Sequence, residues 1–276
     1  MAYQNIFKRY ELKYLMTRVQ RDELMDVMEP HMKLDNFGHA TIRNIYFDTD
    51  SFRLIRRSIE KPAYKEKLRV RSYGKAGETD TVFVELKKKY DSVVYKRRID
   101  LPEAEAMRWL TGQTEAPKKS QIASEIDYFL GYYDNLAPAV FLSYEREAYA
   151  PTDGLDFRVT LDENIRSRRT DVSLGAEIYG DKIIDDGQVL MEIKTPGGIP
   201  LWMTQFLSRN HLYKTSFSKY GTAYKKYIAP QMIEEREAER YEYIRESARD
   251  TDCIPFPRGI GLFAGAGAPA YAGLHG

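Results

Sequence analysis

Several short stretches of this chain alternate so that charges gather on one side of a β-strand. Lys67-Leu-Arg69-Val-Arg71 puts three cations on one face and Leu68 and Val70 on the other, and Glu85-Leu-Lys87-Lys-Lys89 gathers Glu85, Lys87 and Lys89 opposite Val84 and Leu86. Arg9-Tyr-Glu11-Leu-Lys13, Tyr144-Glu-Arg146, Arg158-Val-Thr160-Leu-Asp162 and Glu192-Ile-Lys194 repeat the pattern. Successive side chains of a strand point to opposite faces, so each run has one face suited to an apolar core and one suited to water or anions. Any single run reads as the solvated face of an amphipathic strand; six of them in one chain suggest that the charged faces converge. The converging cations are Arg9, Lys13, Lys67, Arg69, Arg71, Lys87, Lys89, Arg146, Arg158, Lys194 and Lys219, against the carboxylates Glu11, Glu85, Asp162 and Glu192. That is a local charge of about +7 in a chain whose formal total is +1. A lining of that density repels itself unless a polyanion or counter-ions fill it, so convergence predicts a phosphate-rich ligand. An antiparallel barrel of about eight strands has room for a polar lumen. The expected fold is α+β: a closed β-barrel tunnel with helices packed outside.

The helices to cover such a barrel are readable. Thr17 can cap a helix running to about His31, and Asp50 or Ser51 opens a short one over SFRLIRRSIE. Pro102 to Leu110, Ser120 to about Tyr133 and Trp202 to about Leu212 follow, with Trp202 and Phe206 expected in packing. Asp48-Thr-Asp50 suits helix capping better than metal binding, and Gly74-Lys-Ala-Gly77 reads as the turn between two charged strands. Residues 1–229 form the expected tunnel domain. Residues 230–276 are expected to be a charged helix followed from Cys253 by a Gly/Ala-rich flexible tail, whose glycine spacing lacks the strand and helix of a nucleotide loop.

The near-zero net charge argues against a global polycation made to coat nucleic acid or membrane, and no apolar run approaches the ~20 residues of a membrane span. The N-terminus lacks an apolar signal core of roughly 7–15 residues, and the single cysteine cannot form an intrachain disulfide. A cytoplasmic protein without a transmembrane segment is expected. The four histidines are scattered with no metal-ligand spacing, which argues against zinc and against histidine-based catalysis.

The ordered motifs RYELKY (9–14), RNIYFDT (43–49), KLRVR (67–71), VELKKK (84–89), YEREAY (144–149), RVTLD (158–162), LMEIK (190–194) and SFSKY (216–220) resemble the VTC domain, the polyphosphate polymerase branch of the triphosphate tunnel metalloenzymes (CYTH-like superfamily). The resemblance implies a strand-lined tunnel in which basic side chains grip a nucleoside triphosphate and polyphosphate, with a divalent metal, Mn²⁺ or Mg²⁺, near a glutamate. Carried over by motif, Arg69, Arg71, Lys87, Arg146 and Arg158 act on the phosphates, and Glu192 is the metal-associated carboxylate. Lys219, with Ser218 beside it, is the C-terminal phosphate ligand. Tyr144 and Lys13 also contact substrate, with Arg9, Lys67, Lys89 and Lys194 as further basic lining. Glu11 and Glu85 are either further metal ligands or internal counter-ions. Lys96 and Arg98 join the lining only if they face inward, which the intervening Arg97 leaves open. The hydrolytic branch opens with Glu-x-Glu-x-Lys, whereas this chain has Arg9-x-Glu11-x-Lys13; exchanging a carboxylate for a guanidinium favours gripping phosphate over a two-metal hydrolytic site. Eukaryotic relatives also carry an inositol-phosphate-sensing domain and membrane spans, and no counterpart is expected within these 276 residues.

The expected reaction moves the γ-phosphoryl of a nucleoside triphosphate, most simply ATP, to phosphate or polyphosphate. It needs positioning and charge neutralisation more than a covalent nucleophile. A triphosphatase that uses water, and a non-enzymatic polyphosphate binder, are the alternatives. Nucleic acid fits poorly, because aromatic residues seldom interleave with the basic runs. No feature names a protein partner.

Overall fold

The first described charged alternation becomes strand β1 (Tyr10–Thr17), and Thr17 ends it by capping helix α1 (Arg18–Met28). Thr17 Oγ1 accepts from the Gln20 N–H at 3.2 Å while Gln20 Oε1 accepts from the Thr17 N–H at 2.9 Å, a reciprocal cap. Strand β2 (Met32–Asp48) leads into α2 (Arg53–Ile59). The residue before α2, Phe52, is left-handed and offers no side-chain cap, so Asp48 serves instead. Its carboxylate accepts from the N–H groups of Leu54 at 2.8 Å and Ile55 at 3.0 Å, and Thr49 Oγ1 accepts from the Arg53 N–H at 3.0 Å. Strands β3 (Tyr64–Tyr73), β4 (Thr81–Tyr90) and β5 (Val93–Pro102) follow. Gly74, at φ +92°, turns the chain out of β3 in a conformation that disfavours a side chain. Helices α3 (Glu103–Leu110) and α4 (Gln121–Tyr132) precede β6 (Ala137–Pro151), β7 (Arg158–Arg168), the two-residue β8 (Asp181–Lys182) and β9 (Gln188–Thr195). Helix α5 (Leu201–Arg209), the short α6 (Lys219–Ala223), a π-helical turn (Tyr224–Ile228) and α7 (Ala229–Thr251) complete the order. The structure is a computed structural model that describes residues 10–91 and 93–251; Arg9, Cys253 and the Gly/Ala-rich stretch lie outside them.

All the strands join one antiparallel sheet in the order β1-β9-β7-β6-β2-β3-β4-β5, with β8 beside β7. Most apolar alternates lie on one face and form two cores, while Ile42, Leu142 and Leu190, in step with Asn44, Tyr144 and Glu192, are buried on the charged face. Under α3 and α4, Leu68, Val70, Val84 and Leu86 pack with Ile45, Phe47 and Phe141 against Trp109, Leu110, Ile126 and Phe129. Under α1 and α5, Tyr14, Met16, Val159, Leu161, Met191 and Ile193 pack against Leu24, Met28, Met203 and Phe206. Trp202 stacks on His31 at 4.8 Å, so the expected packing role for it and Phe206 holds. Each fully buried aliphatic side chain contributes about 1.5–3 kcal/mol, and together they fix which face of the sheet carries the charges.

That charged face curls inward. Lys13 of β1 donates to the Phe217 carbonyl at 3.1 Å, Lys67 of β3 to Ser218 Oγ at 3.2 Å, and Lys219 to Asp162 of β7 at 2.5 Å, so three separated strands converge on one short segment. The sheet is nevertheless not closed. Among the described residues no ladder joins β1 to β5, which corrects the expected closed barrel to a large curled sheet open at one seam. The outer edge of β1 is engaged by the segment before α6 instead, where the Thr215 N–H donates to the Lys13 carbonyl at 2.7 Å.

The chain divides after Pro230 into two units. The second begins within α7, whose side chains from Ile233 to Arg245 are exposed. No described helix is long and apolar enough to cross a membrane.

Candidate functional site

The β2–β5 wall is laid out in rows by strand register. Asn44, Arg71 and Phe83 form one row, Tyr46, Arg69, Glu85 and Arg98 the next, then Lys67, Lys87 and Lys96, and finally Lys65 and Lys89. Arg97 points the other way and pairs with Glu125 of α4 at 3.1 Å, so Lys96 and Arg98 face inward. Glu85 is 1% exposed and is clasped by three cations: Arg69 at 2.6 Å, Lys96 at 2.8 Å and Arg98 at 3.8 Å. Burial opposes its ionisation, but Arg69, Arg71 and Lys96 outweigh burial and hold the carboxyl well below the usual range.

The opposite wall carries paired charges. Lys13 lies 3.0 Å from Glu11 and 3.8 Å from Glu192, and Lys194 lies 2.9 Å from Glu192. Asp162, fully buried, accepts two bonds from Arg146 at 2.6 and 2.7 Å and one from Lys219. Burial disfavours the charged form of Glu192, yet Lys194, Lys13, Arg146 and Lys219 keep it ionised well below the ordinary carboxylate range. Ser218 starts α6, its hydroxyl accepting from the Gly221 N–H at 3.2 Å. That cap places Lys219 on the first turn, pointing at Asp162.

The next row behaves differently. Lys67 and Lys87 sit directly opposite one another, and among the described residues neither makes an ion pair. Burial pushes the Lys67 ammonium down, and Lys87, Lys65 and Lys13 push the same way against Tyr46, leaving it at about 8. The Lys87 ammonium is lowered too, by burial and by Arg69 and Lys13, against Glu11 and Glu192. Like charges directly opposite in a sheet are destabilising, and here two successive rows, Lys67–Lys87 and Lys65–Lys89, repeat the conflict. Tyr46 joins this cluster. Burial raises its phenol, but Arg69, Lys67 and Arg71 bring it down to about 8, and Arg69 donates to its hydroxyl at 3.1 Å. Tyr220 stacks on Tyr46 at 4.6 Å and donates to Asp48 at 2.9 Å, closing that side of the cluster.

Of the residues expected from sequence, Glu11, Lys13, Lys67, Arg69, Arg71, Glu85, Lys87, Tyr144, Arg146, Glu192, Lys194, Ser218 and Lys219 are brought together. Arg71 donates to Asn44 at 3.0 Å and to Tyr144 at 3.2 Å. Lys89 lies in the last row, and Arg158, the first residue of β7, stands opposite Lys194 and is exposed. Arg9 lies outside the described residues. Sequence reasoning missed Asn44, Tyr46 and Lys65. Period two in RNIYFDT, which sets Asn44, Tyr46 and Asp48 on one face, was the available signal for the first two, and the same rule extends Lys67-x-Arg69 back to Lys65.

Among the described residues no group of three or more His, Cys, Asp or Glu converges as a metal site. Divalent metals on phosphate substrates need only one or two carboxylates, because phosphate oxygens supply other ligands. Glu11 and Glu192, on adjacent strands and sharing Lys13, fit that demand. Glu85 and Asp162 are already enclosed by cations.

A curled antiparallel sheet with helices over its apolar face and a cation-rich lumen within defines a tunnel-fold, phosphate-handling protein. The chain belongs to the VTC domain family, whose model matches residues 8–228. Among solved structures it is similar to a candidate adenylate cyclase from Bacillus halodurans, with 16% identity and a TM-score of 0.49 over 78% of this chain and 94% of that one. A candidate adenylate cyclase from Vibrio parahaemolyticus matches at 12% identity and a TM-score of 0.45, over 79% of this chain and 98% of that one. No curated protein matches the chain at a significant level.

Proposed function

We propose that this protein is a polyphosphate polymerase, transferring the γ-phosphoryl of a nucleoside triphosphate, ATP, to phosphate or to a polyphosphate end, in the cytoplasm. The observation that carries the reading is the pair of unneutralised lysine rows, Lys67–Lys87 and Lys65–Lys89, set beside the Glu11–Glu192 pair. Facing ammonium groups without an ion-pair partner suit an anion lying between them. In this assignment Arg69, Arg71 and Arg146 stabilise charge on the moving phosphoryl group, Lys13, Lys67, Lys87, Lys194 and Lys219 hold the flanking phosphates, and Arg158, exposed at the start of β7, extends that grip beside Lys194. Ser218 and Tyr144 add hydroxyl contacts, and Lys89 extends the grip along the chain. Mn²⁺ or Mg²⁺, held by Glu192 and Glu11, would supply charge neutralisation at the phosphate oxygens. Glu85 orients Arg69, Lys96 and Arg98 as a counter-ion. An ionised phosphate acceptor needs no general base, and Glu85 and Asp162 are both committed to cations.

The test incubates the purified protein with ATP and Mn²⁺ and separates the products on a polyphosphate gel. A ladder of lengthening chains is expected. Release of orthophosphate alone assigns a triphosphatase, and tight polyphosphate binding without turnover assigns a binder. Glu192→Gln should keep triphosphate affinity and lose most metal-dependent turnover. Arg69→Ala should weaken both, each charge-assisted contact being worth roughly 1.5–3 kcal/mol. Turnover is compared at saturating ATP.

A further inference from the structure

The β3–β4 wall is chemically different at its two ends. One end is the lysine row Lys65–Lys89. At the other, the inward-facing series of β3 finishes on Tyr73 and that of β4 starts on Thr81 and Phe83. The Tyr73 and Phe83 rings meet edge to face at 5.7 Å, and the Arg98 guanidinium lies 3.5 Å over the centre of the Phe83 ring. The hydroxyl of Tyr73 has Arg71 and Arg98 as neighbours. Tyr73 is 47% exposed and the Arg98 side chain 36%, so both are reachable from solvent beside the Arg69 row. No other part of the lumen combines an accessible aromatic ring with a flat-lying guanidinium among the described residues.

We propose that this corner is a nucleobase platform that sets the direction of the triphosphate: the base stacks on Tyr73 and Arg98, and the phosphates run along β3 and β4 towards Lys67 and Lys87. The inference rests on the triphosphate reading above and adds which end of the lumen the nucleoside occupies. Stacking on an aromatic face and on a planar guanidinium is how proteins hold bases without reading their edges. The span fits. From Phe83 to Lys87 is four residues of extended strand, about 13 Å, comparable to an extended nucleoside triphosphate. The γ-phosphate then lies between the Arg69 row and the facing lysines, close to Lys13 and Glu11, whose charges act on Lys87, and the lysines beyond it take the acceptor's phosphates. The acceptor approaches from the Lys65–Lys89 end.

The test compares ATP with inorganic tripolyphosphate, which has the phosphates and no base, by titration calorimetry on the full chain at one fixed salt concentration. Tyr73→Ala should weaken ATP binding roughly tenfold and leave tripolyphosphate within about twofold of the parent. Tyr73→Phe, which keeps the ring and loses the hydroxyl, should bind ATP like the parent. The platform is overturned if Tyr73→Ala leaves ATP binding unchanged, if it weakens both ligands equally, or if Tyr73→Phe fails like Tyr73→Ala, since the hydroxyl's hold on Arg71 and Arg98 would then be the cause. A parent protein that binds tripolyphosphate with no loss of ATP on Tyr73→Ala removes only the platform. A parent that binds neither ligand removes the triphosphate reading and this one with it.

Discussion

Lys67 is the residue where the demands of folding and of ligand binding conflict most directly. With its ammonium brought down to about 8 by burial and by Lys87, Lys65 and Lys13, it binds a proton less tightly in the folded protein than in the unfolded chain. The folded state is therefore penalised below pH 8, and stability rises as pH climbs from there towards the ordinary lysine value of about 10.4. Anion affinity has the opposite trend: above pH 8 Lys67 loses its charge and Tyr46, also at about 8, gains a negative one. Tripolyphosphate binding should fall between about pH 7.5 and 9.5, measured by calorimetry, and Lys67→Met should flatten part of that fall, leaving the share due to Tyr46. The same substitution at Lys87 should raise the melting temperature of the protein alone while weakening tripolyphosphate, because it removes one of two like charges set opposite each other. A melting temperature that drops instead would show that the lysine stems pack for stability. The cations themselves were legible in the sequence because strand alternation is strict. Their pairing was not: nothing in KLRVR and VELKKK reveals that Arg69 meets Glu85 while Lys67 meets Lys87, since register depends on where the turn between them ends.

At the scale of elements, helix boundaries were the most readable part of the chain. Thr17 and Ser120 cap α1 and α4 through local side-chain bonds that any reader of the sequence can anticipate. Helix α2 is different, because its cap comes from Asp48, at the end of the preceding strand, and Asp48 is also the acceptor for Tyr220 of α6. One buried carboxylate thus ties β2, α2 and α6 together. Asp48→Ala should cost about 2–4 kcal/mol by leaving two helix N–H groups and the Tyr220 hydroxyl unsatisfied, whereas Tyr220→Phe should cost about 1 kcal/mol; both are read from urea unfolding. Helix α6 itself was not foreseen. Its five residues carry no periodic apolar stripe, and it exists because Ser218 caps it and Tyr220 finds partners distant in the chain.

For the whole molecule, an inward-facing excess of cations predicts that polyanion binding releases counter-ions, so tripolyphosphate affinity should fall steeply with salt. Affinity that holds constant over a severalfold rise in salt concentration would count against a cationic lumen as the binding site. The overall layout, with apolar outside and charges within, was legible from alternation. The seam was not, because closure depends on whether two strands far apart in sequence find one another, and here β1 bonds to the segment around Thr215 instead. On the polymerase reading proposed above, that seam decides how a polymer can get in and out. A ring of hydrogen bonds would have to be threaded from a free end, like a bead on a string. A wall interrupted between its first and last strands can act as a clasp that takes a long chain sideways and lets it go the same way. Polyphosphate blocked at both ends with bulky groups should therefore still be captured, and capture restricted to chains with a free end would mean that the segment around Thr215 holds the clasp shut.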